Sequence, residues 1–92
     1  MNSLATVAAL RDAGRFADAL RARGEIRINA QERPSADVLR AELLERTGDY
    51  SQSRNLTETV LRRANLSVGD RSTCELVLAK LVLELGEVNH GI

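Results

Sequence analysis

Gly14 and Gly48 stand 34 residues apart, and around them the chain repeats itself: Leu10 matches Leu44, Phe16 matches Tyr50, Ala19 matches Ser53, Ile26 matches Val60 and Ala30 matches Ala64. Six like positions at one offset constrain the fold more than any other feature. A fixed period of roughly 20 to 50 residues marks an array of small units, each burying its apolar face on the next, and this period accommodates two helices and a turn. Gly86 closes a third copy of the pattern 38 residues after Gly48, which places an insertion in the turn before it.

Capping and breaking residues place the helix ends. Asn2 or Ser3 caps a first helix that ends near Ala13, with Leu4, Val7, Ala8 and Leu10 on its apolar side. A second helix is expected over 16–30, weakened at Gly24. Pro34 and Ser35 stop one unit and start the next, with Ser35 as N-cap of a third helix running to Thr47. Asp49 and Gln52 have the form of a capping box for a fourth helix over 50–65, in which Glu58 precedes Arg62 by four residues. Residues 68–71 read as a loop, and Ser72 with Glu75 forms a second capping box for a strongly apolar fifth helix ending at Leu85. The chain is therefore expected to be all-α with about five helices: repeat one over 1–33, repeat two over 34–67, a loop over 68–71 and a partial repeat three over 72–92. Little more than a turn follows Gly86, so the last unit reads as half a repeat and the chain as a piece of a longer array.

Composition narrows the function classes. Apolar residues make up 43% of the chain but aromatics only 2%, so the core must be aliphatic. The 13 basic and 13 acidic side chains cancel, leaving no net charge to recruit nucleic acid or an anionic membrane. Arg54, Arg62, Arg63 and Arg71 are the one basic concentration and lack the interleaved aromatics of a nucleic-acid surface. Cys74 is alone, which excludes an internal disulfide and fits a reducing, cytoplasmic setting. The apolar stretch 4–10 is short, has no basic lead and runs into Arg11 and Asp12, so it is not a secretory signal. His90, the sole histidine, makes no metal-ligand spacing with Cys74, and no phosphate-binding loop or nucleophile elbow is present. No catalytic residue, metal or cofactor is expected.

Leu10, Gly14, Phe16, Ala19 and Ile26 in the first unit, and Leu43, Leu44, Gly48, Tyr50, Ser53 and Val60 in the second, resemble the tetratricopeptide repeat; Leu78, Ala79, Val82 and Gly86 resemble its first half again. The chain departs from that family at Ser3, Asp37 and Glu75, where an early aromatic is usual, and at Arg23 and Thr57, where a late one is. The resemblance implies antiparallel helical hairpins stacked as a short right-handed solenoid, and a non-catalytic scaffold that binds a peptide or protein segment in its concave face. Carried onto this register, that face comprises Leu4, Ala8 and Arg11, then Val38, Glu42 and Glu45, then Leu76, Lys80 and Leu83. Leu4, Val38 and Leu76 would form its apolar strip. The family's clamp for a C-terminal carboxylate is not expected, because its positions hold Leu4, Ala8, Leu39, Thr73 and Val77.

The fifth helix suggests a second use. Its apolar residues cover more of the circumference than one neighbour can bury, which marks an interface. On that alternative reading the chain is a self-association or regulatory segment of a larger protein, with Val77, Leu78, Leu81, Val82 and Leu85 as the contact of a homodimer. The resemblance adds the setting of a bacterial regulator, with such an array beside an output domain.

Overall fold

A computed structural model gives the structure of residues 3–63 and 66–85, with only the backbone of Leu85 described. Asn2, Ala64, Asn65 and residues 86–92, including Gly86 and His90, lie outside the described residues. Within them the chain is all-helical: α1 (Leu4–Asp12), α2 (Phe16–Glu25), α3 (Arg33–Arg46), α4 (Tyr50–Leu61) and α5 (Val68–Leu85). The helices follow chain order in space, extending over 49 × 29 × 18 Å. Central α3 touches all four others, whereas α1 and α2 touch neither α4 nor α5.

The 34-residue period is visible in the backbone. Gly14 (φ 79°) and Gly48 (φ 91°) are left-handed, and each ends its helix with the same paired hydrogen bonds. Gly14 N donates to Arg11 O (2.9 Å) and Arg15 N to Leu10 O (2.9 Å); Gly48 N donates to Glu45 O (3.2 Å) and Asp49 N to Leu44 O (2.8 Å). These are the two bonds of a Schellman motif, which needs a residue tolerant of positive φ at its turning point. The next residues match too, Arg15 at φ −91°, ψ 66° and Asp49 at φ −88°, ψ 68°, and a new helix starts at once at Phe16 and Tyr50. A Cβ at Gly48 meets no atom within 4 Å, so Gly48→Ala incurs only the left-handed strain, about 1–2 kcal/mol. Gly24, helical and equally open, should gain about 0.5–1 kcal/mol on becoming Ala. Thermal melts of the two variants should therefore move in opposite directions.

Several ends differ from the sequence expectation. Ser3 does cap α1, its Oγ accepting from Thr6 N (3.3 Å). Helix α2 stops at Glu25, five residues early, because Ile26 turns extended (φ −96°, ψ 153°) and packs half-buried against the core. Helix α3 starts at Arg33 with Pro34 in its first turn, entered through an Asn29 turn in which Asn29 Oδ1 accepts from Glu32 N (2.8 Å). Ser35 is thus no cap; its hydroxyl donates to Asp70 Oδ2 (2.9 Å) and ties α3 to α5. Asp49 precedes α4 but makes no side-chain cap, and α4 ends at Leu61. Glu58 pairs with Arg54 (3.7 Å), one turn back, instead of with Arg62. Residues 68–71 are the first turn of α5, not a loop: Ser67 Oγ accepts from Asp70 N (3.1 Å), which makes Ser67 the cap and leaves Ser72 and Glu75 inside the helix.

Helix α3 divides the core. On one side Leu39 and Leu43 pack with Val7, Ala19 and Ala22, with Leu4, Leu10, Phe16, Leu20 and Ile26 around them. On the other Val38 packs with Val60 and Cys74. Small residues mark the hairpin crossings, Ala19 in the first and Ala41 with Ser53 in the second, and Ser53 Oγ donates to Ala41 O (2.7 Å) across the latter. No helix of the described residues is long and apolar enough to cross a membrane.

Candidate functional site

Helix α5 is apolar on two opposite sides. Cys74, Val77 and Leu81, at i, i+3 and i+7, are 1%, 3% and 1% exposed and face α3 and α4. Burial pushes the Cys74 thiol above its ordinary range, so it is a packed and unreactive group. On the other side stand Val68, Leu76 and Leu83, at 85%, 57% and 71% exposure the large exposed hydrophobics of the described residues. At 3.6 residues per turn, Val68, Ser72, Leu76, Ala79 and Leu83 fall within an arc of about 80° and run about 22 Å along the helix. No charged residue lies within that arc. No described element packs on it, so it is a bare seam with the spacing by which helices pair.

A charged row crosses the three helices beside it. Arg11 of α1 pairs with Glu42 of α3 (3.2 Å), and Lys80 Nζ of α5 lies 4.0 Å from Glu45 Oε1 of α3. Glu45 is 8% exposed and its Oε1 accepts no hydrogen bond. Tyr50 OH donates to Glu84 Oε2 (3.3 Å) at the end of the row, and that carboxylate raises the Tyr50 pKa by opposing the phenolate. These contacts tie α1 to α3, α3 to α5 and α4 to α5, and set the two cations Arg11 and Lys80 against the carboxylates of Glu42, Glu45 and Glu84.

The expected residues thus separate. Leu4 and Ala8 are half-buried, Leu4 against the first core cluster, while Arg11, Glu42 and Lys80 lie in the charged row. Val38 is core, 4% exposed against Val60 and Cys74, and so is not part of an apolar groove wall; Glu45 is likewise closed off. Leu76 and Leu83 are open. Of the proposed dimer contact, Val77 and Leu81 are spent inside the molecule and Leu78 and Val82 are half-buried, because that side of α5 faces its own neighbours. The Leu85 side chain lies outside the described residues. Val68 and Ala79 were missed, and the signal was available: extending the helix back to Ser67 brings Val68 into line with Leu76 and Leu83.

Arg63 belongs to no basic surface. It lies 2.8 Å from Asp37 Oδ2, while Arg23 Nη2 approaches Asp37 Oδ1 (3.4 Å) and Arg23 Nε donates to Ala36 O (3.3 Å). Asp37 and Arg23 are 7% and 8% exposed, so this triad is an internal tie among α2, α3 and the end of α4. Burial pulls the Arg23 pKa below its usual range, and the Asp37 carboxylate opposes that. A shallow cavity of about 320 Å³ lies between α3 and α4, lined by Arg40, Leu44, Gln52, Asn55, Leu56 and Thr59. Among the described residues no group of three or more His, Cys, Asp or Glu can hold a metal ion.

No protein-family model, curated protein or solved structure matches the chain.

Proposed function

We propose that this chain is a non-catalytic protein-interaction module, a short stack of tetratricopeptide-like hairpins that presents α5 to a helix of a partner polypeptide. The observation that carries this reading is the bare stripe of Val68, Leu76 and Leu83. Three large apolar side chains confined to one face mark an association surface, whereas scattered ones do not. The occupant is an amphipathic helix because the stripe has a helical seam's spacing, and small Ser72 and Ala79 in its middle let another backbone come close. The paired glycine turns support the stacked-hairpin part of the reading. The groove drawn from the resemblance narrows accordingly: Leu76 and Leu83 form its apolar part, Lys80, Glu42 and Arg11 its rim, and Val38 and Glu45 drop out.

The test is a fluorescence-anisotropy titration of a labelled amphipathic Leu/Lys model helix with wild type and Leu76→Asp/Leu83→Asp. Wild type should bind, and the variant should bind at least about tenfold more weakly, since two apolar contacts are each worth about 1.5–3 kcal/mol when buried. The circular dichroism and melting of the variant should stay unchanged. Failure of wild type to bind, or equal binding by the variant, rejects the reading.

A further inference from the structure

We infer that the helix covering this stripe is α5 of a second copy, packed antiparallel across a two-fold axis at Leu76; this rests on the reading of α5 as a docking face. The stripe is its own complement. Reversed end for end, it sets Val68 opposite Leu83, Ser72 opposite Ala79 and Leu76 opposite Leu76, within half a residue throughout. A two-fold interface requires this, because one patch must match itself when turned around. The layers alternate in size, with large pairs at both ends and at the axis and small pairs between them. The Leu76 pair and the two Val68–Leu83 pairs supply apolar burial, and the Ser72–Ala79 pairs bring the backbones together.

The dipoles favour this orientation, and charge is only partly balanced in it. The two-fold brings Glu75 near its own copy at the edge of the seam, and Arg71, one turn away on the same edge of each helix, offsets that like pair. Antiparallel helices also oppose their macrodipoles, which a parallel pair would align side by side. The opposite face of α5 is already filled by Cys74, Val77 and Leu81 against α3 and α4, so pairing uses only the bare side and disturbs no core contact. Closing the stripe removes roughly 800 Å² in total, less than the about 1,200 Å² at which stable specific interfaces begin and within the weak, transient class. The dimer is therefore weak, with a dissociation constant on the order of 10–100 μM.

Sedimentation equilibrium of the full chain from about 1 to 500 μM should show a monomer–dimer equilibrium, and Leu76→Asp should shift it at least about tenfold toward monomer. Cysteine cross-linking then reads the geometry, because a disulfide forms only where Cα atoms come within about 7 Å. Native Cys74 is buried and stays silent. Under mild oxidation Leu76→Cys should link to itself, Leu83→Cys should not, and a mixture of Leu83→Cys with Val68→Cys should link. A monomer at every concentration, a dimer indifferent to Leu76→Asp, or Leu83→Cys linking to itself as readily as Leu76→Cys overturns the inference. In each of those cases the model-helix titration decides separately whether α5 is a docking face at all: stripe-dependent binding there leaves a heterologous helix as the occupant.

Discussion

Asp37→Ala should lower the unfolding free energy by about 3–5 kcal/mol, the cost of leaving a buried ion without its partner. The loss falls on Arg23, whose side chain is 10% exposed and whose remaining contact would be the Ala36 carbonyl. Arg63, with 31% of its side chain exposed, can turn to water and loses less. At about 4–8 °C per kcal/mol for a domain of this size, melting should drop by at least 12 °C or so, measured by circular dichroism and by urea denaturation. Because whole domains hold only about 5–15 kcal/mol, a population of unfolded protein at 37 °C is expected. A companion variant separates charge from packing. Replacing all three groups, as Arg23→Met/Asp37→Leu/Arg63→Met, removes the orphaned ion and should recover most of the lost stability, since apolar groups of similar volume often replace buried ion clusters at no net cost. If the triple variant melts as low as Asp37→Ala, the triad is stabilising in its own right and the desolvation account is wrong.

The triad shows where the sequence stopped being legible. Arg23 and Thr57 occupy equivalent positions 34 residues apart, and both are buried, yet nothing local announces how each is satisfied. Thr57 Oγ1 donates to Ser53 O one turn back (2.7 Å), a local bond. Arg23 depends on Asp37, fourteen residues on, and Asp37 depends also on Arg63, twenty-six beyond it; such partners are chosen by packing. The repeat was readable because glycine alone easily adopts the left-handed turn, so Gly14 and Gly48 declare the hairpins before any contact forms. The end of α2 was not, because Ile26 leaves the helix to pack against the core, and the start of α5 was not, because capping grammar is degenerate. Ser67 with Asp70 and Ser72 with Glu75 both carry the signature, and the hydrogen bond of Ser35 to Asp70 stabilises the earlier start. That choice of four residues revealed Val68 as the end of the exposed stripe, and with it the face that the candidate site occupies. Val38 misled for a related reason: an aliphatic residue reads alike on a groove wall and in a core, and contact with Val60 and Cys74 decides which it is.

Leu43→Ala should cost about 2–5 kcal/mol, toward the upper part of that range. Leu43 is fully buried on the one helix that touches all the others, in the cluster with Val7, Ala19, Ala22 and Leu39. Two of those buried neighbours are alanines and a third is a valine, while Leu39 and the surrounding Leu4, Leu10, Leu20 and Ile26 relax only partly into the gap, so much of the vacated volume stays as a cavity. The core has no tryptophan, and its aromatic contribution is Phe16 at the periphery, half-buried with Arg46 over its ring at 5.4 Å. Leu83→Ala removes the same atoms from a side chain that is 71% exposed and should change stability by less than about 0.5 kcal/mol in the monomer. The two substitutions should separate cleanly in urea melts at low micromolar concentration: Leu43→Ala shifts the midpoint strongly, whereas Leu83→Ala leaves the midpoint alone and weakens only the association of copies. A small effect of Leu43→Ala would mean that α1 and α2 re-pack onto α3 freely, which would contradict a core built from small residues at fixed helix crossings.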